Sequence, residues 1–96
     1  MFLIVLNYIK PITEVEKFVE DHRTFLMNYY SCGNFLLSGR KEPRNGGIII
    51  ATAKNRAEIE HIIQQDPFYQ EKIADYEIIE FLPSMSANFL TDLITS

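Results

Sequence analysis

The sequence lacks the features of several specialised protein classes. Among its 96 residues there is one cysteine, Cys32, so the chain cannot form an internal disulfide, which is typical of a reducing cytoplasm. The net charge is −4, whereas a nucleic-acid partner requires a basic face to neutralise its phosphates. No apolar run approaches the ~20 residues of a membrane span. We expect a cytoplasmic protein with neither nucleic acid nor membrane as partner.

Signatures of metal, phosphate and covalent chemistry are also missing. The two histidines and the single cysteine lack the spacing of a closed metal site. Gly46-Gly47 is not followed by the lysine and helix of a phosphate-binding loop. No pairing of serine or cysteine with histidine indicates a nucleophile. We therefore expect neither a metal nor a cofactor.

The composition is that of a small globular domain. Hydrophobic residues make up 47% and charged residues 23% of the chain, and a domain of this length buries only ~60–65% of its unfolded surface. The apolar start, residues 1–6, lacks the basic segment and cleavage site of a signal peptide, so we expect a strand there.

Strand and helix patterns alternate along the chain. Thr13 with Glu16, and Asn55 with Glu58, have the spacing of capping boxes that begin helices. Gly33 ends the first helix and Pro67 prevents a simple continuation of the second. The expected helices are residues 14–30 and 55–65. The expected strands are residues 2–9, 34–39, 48–52 and 73–82, with the first buried on both faces.

This order is βαββαβ, which predicts an α+β, ferredoxin-like fold with a four-stranded antiparallel sheet and both helices on one face. The opposite face is apolar and has no helix to cover it, so we expect a homodimer packed sheet to sheet. We assign residues 1–83 to this domain. Residues 84–96 form a tail with apolar residues at helical spacing and Ser86 as a possible N-cap, and we expect a short helix docked on the same or a neighbouring subunit.

Two polar residues occupy positions where the helical pattern calls for apolar ones. His22 lies within the apolar stripe of the first helix, and Asp66 extends the apolar row of the second. Because the helices of this fold run antiparallel, contact between the two side chains is feasible. The carboxylate would then fix the imidazole tautomer and leave the other nitrogen free for proton transfer, which is the basis of a general acid–base site.

Structural alternatives exist for both residues. His22 could bond a backbone carbonyl, and Asp66 could cap the turn that it makes with Pro67. The second histidine, His61, lies off the apolar row of its helix and should face solvent.

A ligand could be held by the polar residues near the strand ends. The loop after the second strand contains Arg40 and Arg44, and arginine binds carboxylates bidentately, which indicates an anionic ligand. Ser38 could bind the ligand or its own backbone. Tyr8 could line the pocket or belong to the core, and the charged loop could simply be solvated.

Three sets of short motifs follow one another along the chain. They are His22-Arg23-Thr24-Phe25-Leu26; Leu37-Ser38-Gly39 followed by residues 43–51; and Asp66-Pro67-Phe68 followed by residues 76–81. In this order and spacing they resemble the YciI-like (YCII-related) family over residues 1–83.

The resemblance implies a dimeric ferredoxin-like fold of the α/β-barrel type and an active site at His22 and Asp66. Most members of the family have no known function, and a related branch is similar to enzymes that dehalogenate chlorinated muconolactones. The sequence departs from the family at Arg40, where relatives often have proline, and in the tail after Pro83.

The favoured hypothesis is a small-molecule enzyme, a lyase or isomerase acting on an anionic or lactone-like metabolite. His22 would be the acid or base, oriented by Asp66, and Tyr8, Ser38 and Arg40 or Arg44 would form the ligand site. The alternative is a non-catalytic dimeric module that binds a ligand or a protein and in which the His–Asp pair is structural.

Overall fold

A computed structural model describes residues 1–94. Four strands, β1 (Phe2–Tyr8), β2 (Phe35–Arg40), β3 (Gly46–Ala51) and β4 (Ala74–Glu80), form one antiparallel sheet in the order β2-β3-β1-β4. The helices are α1 (Ile12–Glu16), α2 (Val19–Ser31), α3 (Arg56–Ile63) and α4 (Pro67–Gln70). This is the predicted ferredoxin-like α+β fold.

A single core lies between the helices and one face of the sheet. Alternate residues of β1 are buried there because successive side chains of a strand point to opposite faces. The buried apolar residues are Phe2, Ile4, Leu6, Val15, Phe25, Phe35, Ile49, Ala51, Ile59, Ile62, Ile63, Phe68, Ile73 and Ala74. Among residues 1–94, Asp66 is the one buried residue that is polar or charged.

The other sheet face is apolar but open in a single copy of the chain. Leu3 and Val5 of β1 are half-buried on this side, as are their β3 partners Ile50 and Ile48, while Ile79 of β4 is exposed. The expectation that the first strand is buried on both faces therefore holds for one face only.

The predicted first helix is two helices. Pro11, whose carbonyl accepts from the N–H groups of Glu14 and Val15, precedes α1, so the helix starts before the predicted cap. Thr13 lies inside the first turn and makes no cap hydrogen bond, and the predicted capping box is wrong. At Lys17 and Phe18 the N–H groups bond three residues back, which ends α1 before α2 begins.

The second predicted helix begins as expected. The Asn55 side chain accepts from the N–H of Glu58 at 2.9 Å, which caps α3. Glu58 does not complete the reciprocal bond of a capping box; its carboxylate accepts from Asn34 instead. Pro67 is the first residue of the short α4, and Asp66 is its N-cap.

Most of the tail after β4 is exposed. It contains a 3-10 helix, Asn88–Leu93, whose N-cap is Ala87, so Ser86 is not the cap. No residue of this helix is buried, and Phe89 is 86% exposed. Docking of the tail on a neighbouring subunit stays a prediction, and its last two residues lie outside the described part of the chain. Within that part, no helix has the length and apolar character to cross a membrane.

Gly46 permits the close approach of β3 to β1. A Cβ at this position would lie 1.8 Å from the backbone oxygen of Leu6. We expect Gly46→Ala to lower the free energy of unfolding by more than about 2 kcal/mol, because the two central strands would have to separate. Urea unfolding measures this change.

Gly39→Ala is the matched control. A Cβ at Gly39 meets nothing within 4 Å, and its φ is not positive, so the same substitution should cost far less there. Equal stability losses in the two variants would contradict the steric explanation.

Candidate active site

His22 and Asp66 are in direct contact. His22 lies in the second turn of α2, and Asp66 lies at the N-terminus of α4. Imidazole Nδ1 is 2.8 Å from Asp66 Oδ1, the aspartate side chain is fully buried, and the histidine side chain is 15% exposed. The structure thus makes the contact that the antiparallel helices allow.

Two further groups donate to the same carboxylate. The backbone N–H of Phe68 donates to Asp66 Oδ1 at 2.9 Å, and the Tyr76 hydroxyl donates to Oδ2. Asp66 therefore caps the turn with Pro67 and also binds the histidine, so these two interpretations are not exclusive. Because an ionised carboxylate only accepts, Nδ1 of His22 is the donor, and its Nε2 is left as a base.

The imidazole is held by aromatic rings as well as by the hydrogen bond. The ring of Phe68 stacks on His22 with centroids 4.1 Å apart and an angle of 6° between the planes. The ring of Phe25 also stacks against the imidazole of His22, with the two centroids 6.1 Å apart. Packing and hydrogen bonding together restrict the imidazole to one orientation, as a positioned acid–base group requires.

His22 lines a cleft between α2 and the sheet, with a volume of about 320 Å³. Of the predicted site residues, Tyr8, Ser38, Arg40 and Arg44 also line it, whereas Asp66 lies behind the histidine. The other lining residues are Leu6, Val19, Arg23, Leu26, Gly39, Gly46, Gly47, Ile48, Ile49 and Phe68. No carboxylate of the described chain is among them, although the net charge of the protein is −4.

The three arginines at the cleft differ in their surroundings. Arg44 pairs with Glu16 at 3.4 Å, and Arg23 pairs with Glu20 at 3.5 Å; both pairs are on the surface. Arg40 makes no ion pair with any residue between 1 and 94. Its guanidinium is therefore available to an anion in the cleft.

A β-bulge determines which side chains of β2 reach the cleft. Phe35 pairs with Ala51, but beyond the bulge, which lies between Phe35 and Leu37, the register shifts by one residue. Ser38 then pairs with Ile49, on the side of the sheet that faces the helices. A bulge re-aims the side chains that follow it, because the alternation of faces restarts there.

Arg40 follows the same alternation. It pairs with Gly47, which lies on the helix side of the sheet and has no side chain to fill the space. With strict alternation from Phe35, Ser38 and Arg40 would both face the open side. The bulge thus supplies the cleft with a hydroxyl and a guanidinium.

Ser38 bonds to another side chain rather than to the backbone. Its Oγ lies 2.5 Å from the hydroxyl of Tyr30. Tyr8 packs edge-on against Phe68 at 6.0 Å and also lines the cleft, so it belongs to both the core and the pocket wall.

Tyr76 is the site residue that sequence reasoning missed. It pairs with Leu6 across β4 and β1 and so faces the core, where its hydroxyl reaches Asp66. Burial raises the pKa of Tyr76, and the negative charge of Asp66 and the hydrogen bond to it add to the effect. A tyrosine on the helix side of a strand next to β1 is the signal that could have identified it.

The other candidate groups are remote from this chemistry. His61 is exposed on α3, as expected, and Cys32 is exposed after the end of α2. Within residues 1–94, no group of three or more His, Cys, Asp or Glu side chains is arranged to hold a metal ion.

Comparisons with known proteins agree with the predicted family. The model of the YCII-related domain matches residues 1–82. No curated protein matches the sequence. One similar solved structure is the 5-chloro-2-hydroxyhydroquinone dehydrochlorinase TftG from Burkholderia phenoliruptrix AC1100, in complex with 2,5-dihydroxybenzoquinone. The TM-score is 0.72 at 13% identity, over 86% of this chain and 95% of that one. At this identity the likeness shows the fold.

Tyr76→Phe should destabilise the domain because it leaves a buried carboxylate with one donor fewer. We expect the free energy of unfolding to fall by about 1–3 kcal/mol at neutral pH. The pH dependence should also change. Tyrosine in the unfolded chain has a pKa near ~10, and the native pKa is higher, so the stabilisation is present below pH ~10 and lost as the pH rises beyond it.

Urea unfolding between pH 8 and 11 measures both effects. Tyr69→Phe is the matched control, because Tyr69 is exposed and also on the short helix beside the site. In the wild type and in Tyr69→Phe, the free energy of unfolding should fall as the pH rises above ~10. Tyr76→Phe should lack this fall. The same alkaline slope in all three proteins would show that Tyr76 does not keep its proton in the fold.

Proposed function

The chain belongs to the family of YCII-related domains, and from this premise we propose that it is a small-molecule enzyme. His22 is its general acid or base, and the ligand is a small anion bound in the cleft. The observation on which this depends is the 2.8 Å bond from His22 Nδ1 to the buried Asp66, which leaves Nε2 as the basic nitrogen of a side chain that lines the cleft.

The charge and size of the cleft support a small anionic ligand. Three arginines line it and no acidic residue does. Because Arg23 and Arg44 are paired with surface glutamates, Arg40 is the cleft arginine whose charge is not paired within residues 1–94. Its volume of about 320 Å³ is at the lower end of small-molecule sites. The similar structure TftG holds 2,5-dihydroxybenzoquinone, also a small molecule.

The simplest chemistry for one positioned histidine is proton transfer next to a carbonyl. The base removes a proton from carbon, and Arg40 stabilises the negative charge that develops on the ligand. Return of the proton at another carbon would make the protein an isomerase, and loss of a leaving group from the neighbouring carbon would make it a lyase. Anionic carbonyl acids and lactones are the proposed substrate class.

Hydrogen exchange in D₂O tests this function without a known product. A panel of carbonyl acids and lactones is incubated with the protein, and the loss of the α-proton signal is followed by NMR. At least one compound should exchange its α-proton faster in the presence of the wild-type protein than in its absence. His22→Gln should lower that rate by at least about 100-fold, because the positioned base is lost.

His61→Gln is the matched control, since it removes the other histidine from an exposed position on α3. It should exchange at the wild-type rate, and circular dichroism should show that both variants are folded. Wild-type exchange in His22→Gln would exclude His22 as the base.

The alternative, a binding module with a structural His–Asp pair, has an observation in its favour. Asp66 joins three elements, since it receives hydrogen bonds from α2, α4 and β4. Under this hypothesis His22→Gln costs stability, and no compound of the panel exchanges even with the wild type.

A homodimer is part of the proposal, as is a cytoplasmic location, which is expected from the lone thiol. The open sheet face is apolar at Leu3, Val5, Ile48 and Ile50, and a contiguous apolar patch of this kind marks an interaction surface. Covering it with the same face of a second copy gives a self-complementary, two-fold contact.

Sedimentation at micromolar concentration should give about twice the chain mass of 11.2 kDa. Val5→Lys, which places a charge on the open face, should give a monomer because the charge would be buried at the interface. Met27→Lys is the control, since Met27 is 64% exposed on α2, away from the sheet. A wild-type monomer would contradict the proposal.

A further inference from the structure

A second hydrogen-bonded pair lies at the cleft, where β2 forms the wall. The Tyr30 hydroxyl, from the last turn of α2, is 2.5 Å from Ser38 Oγ, and both side chains are part-buried. Ser38 lines the cleft and Tyr30 does not. The tyrosine therefore stands behind the serine, as Asp66 stands behind the histidine.

The acidity of the two hydroxyls indicates the direction of this bond. A phenol is a stronger acid than an aliphatic alcohol, so Tyr30 is the better donor and the Ser38 oxygen is the better acceptor. When Tyr30 donates this hydrogen bond, the hydroxyl hydrogen of Ser38 takes no part in it. In the described chain Ser38 Oγ has no other partner, so this hydrogen is available to a ligand in the cleft.

Ser38 and Arg40 lie two residues apart on the same face of β2. Their Cα atoms are about 7 Å apart, from the rise of a strand. A guanidinium and a hydroxyl at this spacing can bind a carboxylate and an acceptor oxygen of the same small ligand. An acid with a carbonyl oxygen beside its carboxylate has these two groups.

We propose that Tyr30 is a positioning residue that holds Ser38 as a donor to the carbonyl oxygen of the ligand, so that the cleft selects acids with a carbonyl next to the carboxylate. This inference rests on the proposed anionic ligand and deepens it. It assigns the β2 wall to recognition of the carbonyl oxygen and the α2 wall, with His22, to proton transfer.

Two probe ligands isolate the contribution of the carbonyl oxygen. Benzoylformate and phenylacetate share a phenyl ring and a carboxylate, and differ in having C=O or CH₂ between them. Benzoylformate has no hydrogen on that carbon, so its binding is measured without proton abstraction there. NMR titration of the ¹⁵N-labelled protein should give a dissociation constant roughly three- to tenfold lower for benzoylformate, the value of one neutral hydrogen bond.

The variants then separate positioning from structure. Tyr30→Phe removes only the hydroxyl and should bring the ratio of the two dissociation constants close to one, while phenylacetate binds as in the wild type. Ser38→Ala should have the same effect. Tyr29→Phe removes a hydroxyl from the preceding residue, which packs against Phe25 and Phe35, and should retain the wild-type ratio.

The outcomes distinguish this inference from the proposed function. A ratio near one in the wild type, a preserved ratio in Tyr30→Phe, or an equal weakening of both ligands in that variant would overturn the role of Tyr30 and leave the proposed binding of an anion in the cleft standing. If neither ligand perturbs the cleft signals of the wild type, the proposed binding of an anion in the cleft is wrong, and this inference fails with it.

Discussion

The buried carboxylate of Asp66 is the constraint on which the rest of the site depends. A charge taken out of water is costly unless hydrogen bonds replace the lost solvation. Here the donors come from α2, from the backbone of α4 and from β4, and no buried side-chain polar atom of the described residues lacks a partner. One side chain thus determines how three elements meet, and the same bonds fix the tautomer of the histidine.

Structural and functional roles coincide at this carboxylate. The bond that caps α4 and the bond that orients His22 end on the same oxygen, Oδ1. A substitution of Asp66 would therefore alter the capping of α4 and the orientation of His22 together. The Tyr30 hydroxyl offers a cleaner separation, because it reaches Ser38 through one hydrogen bond and Tyr30→Phe keeps the ring that packs against Phe35.

A glycine without a side chain in β3 and a bulge in β2 together form the cleft. Gly47 leaves space on the helix side of β3, and a Cβ there would meet only the backbone oxygen of Gly39, at 3.2 Å. The bulge in β2 then turns Ser38 and Arg40 toward that space. The bulge in this way brings the guanidinium of Arg40 to a cleft that no acidic residue of the described chain lines, because the local backbone path selects which side chains converge.

The order of strands and helices follows from the sequence alone, because the periods of apolar residues and the turn signals are local properties. His22 and Asp66 were identifiable for the same reason: each interrupts an apolar pattern. The break between α1 and α2, the bulge in β2 and the contact from Tyr76 depend on tertiary packing instead. A one-residue shift in register moves every later side chain of a strand to the opposite face of the sheet. No local pattern around Phe35 indicates the shift. The sequence by itself determined the fold class and singled out His22 and Asp66; only the tertiary structure decided which hydroxyls and cations lie near them, because strand register and helix breaks are set by residues distant in the chain.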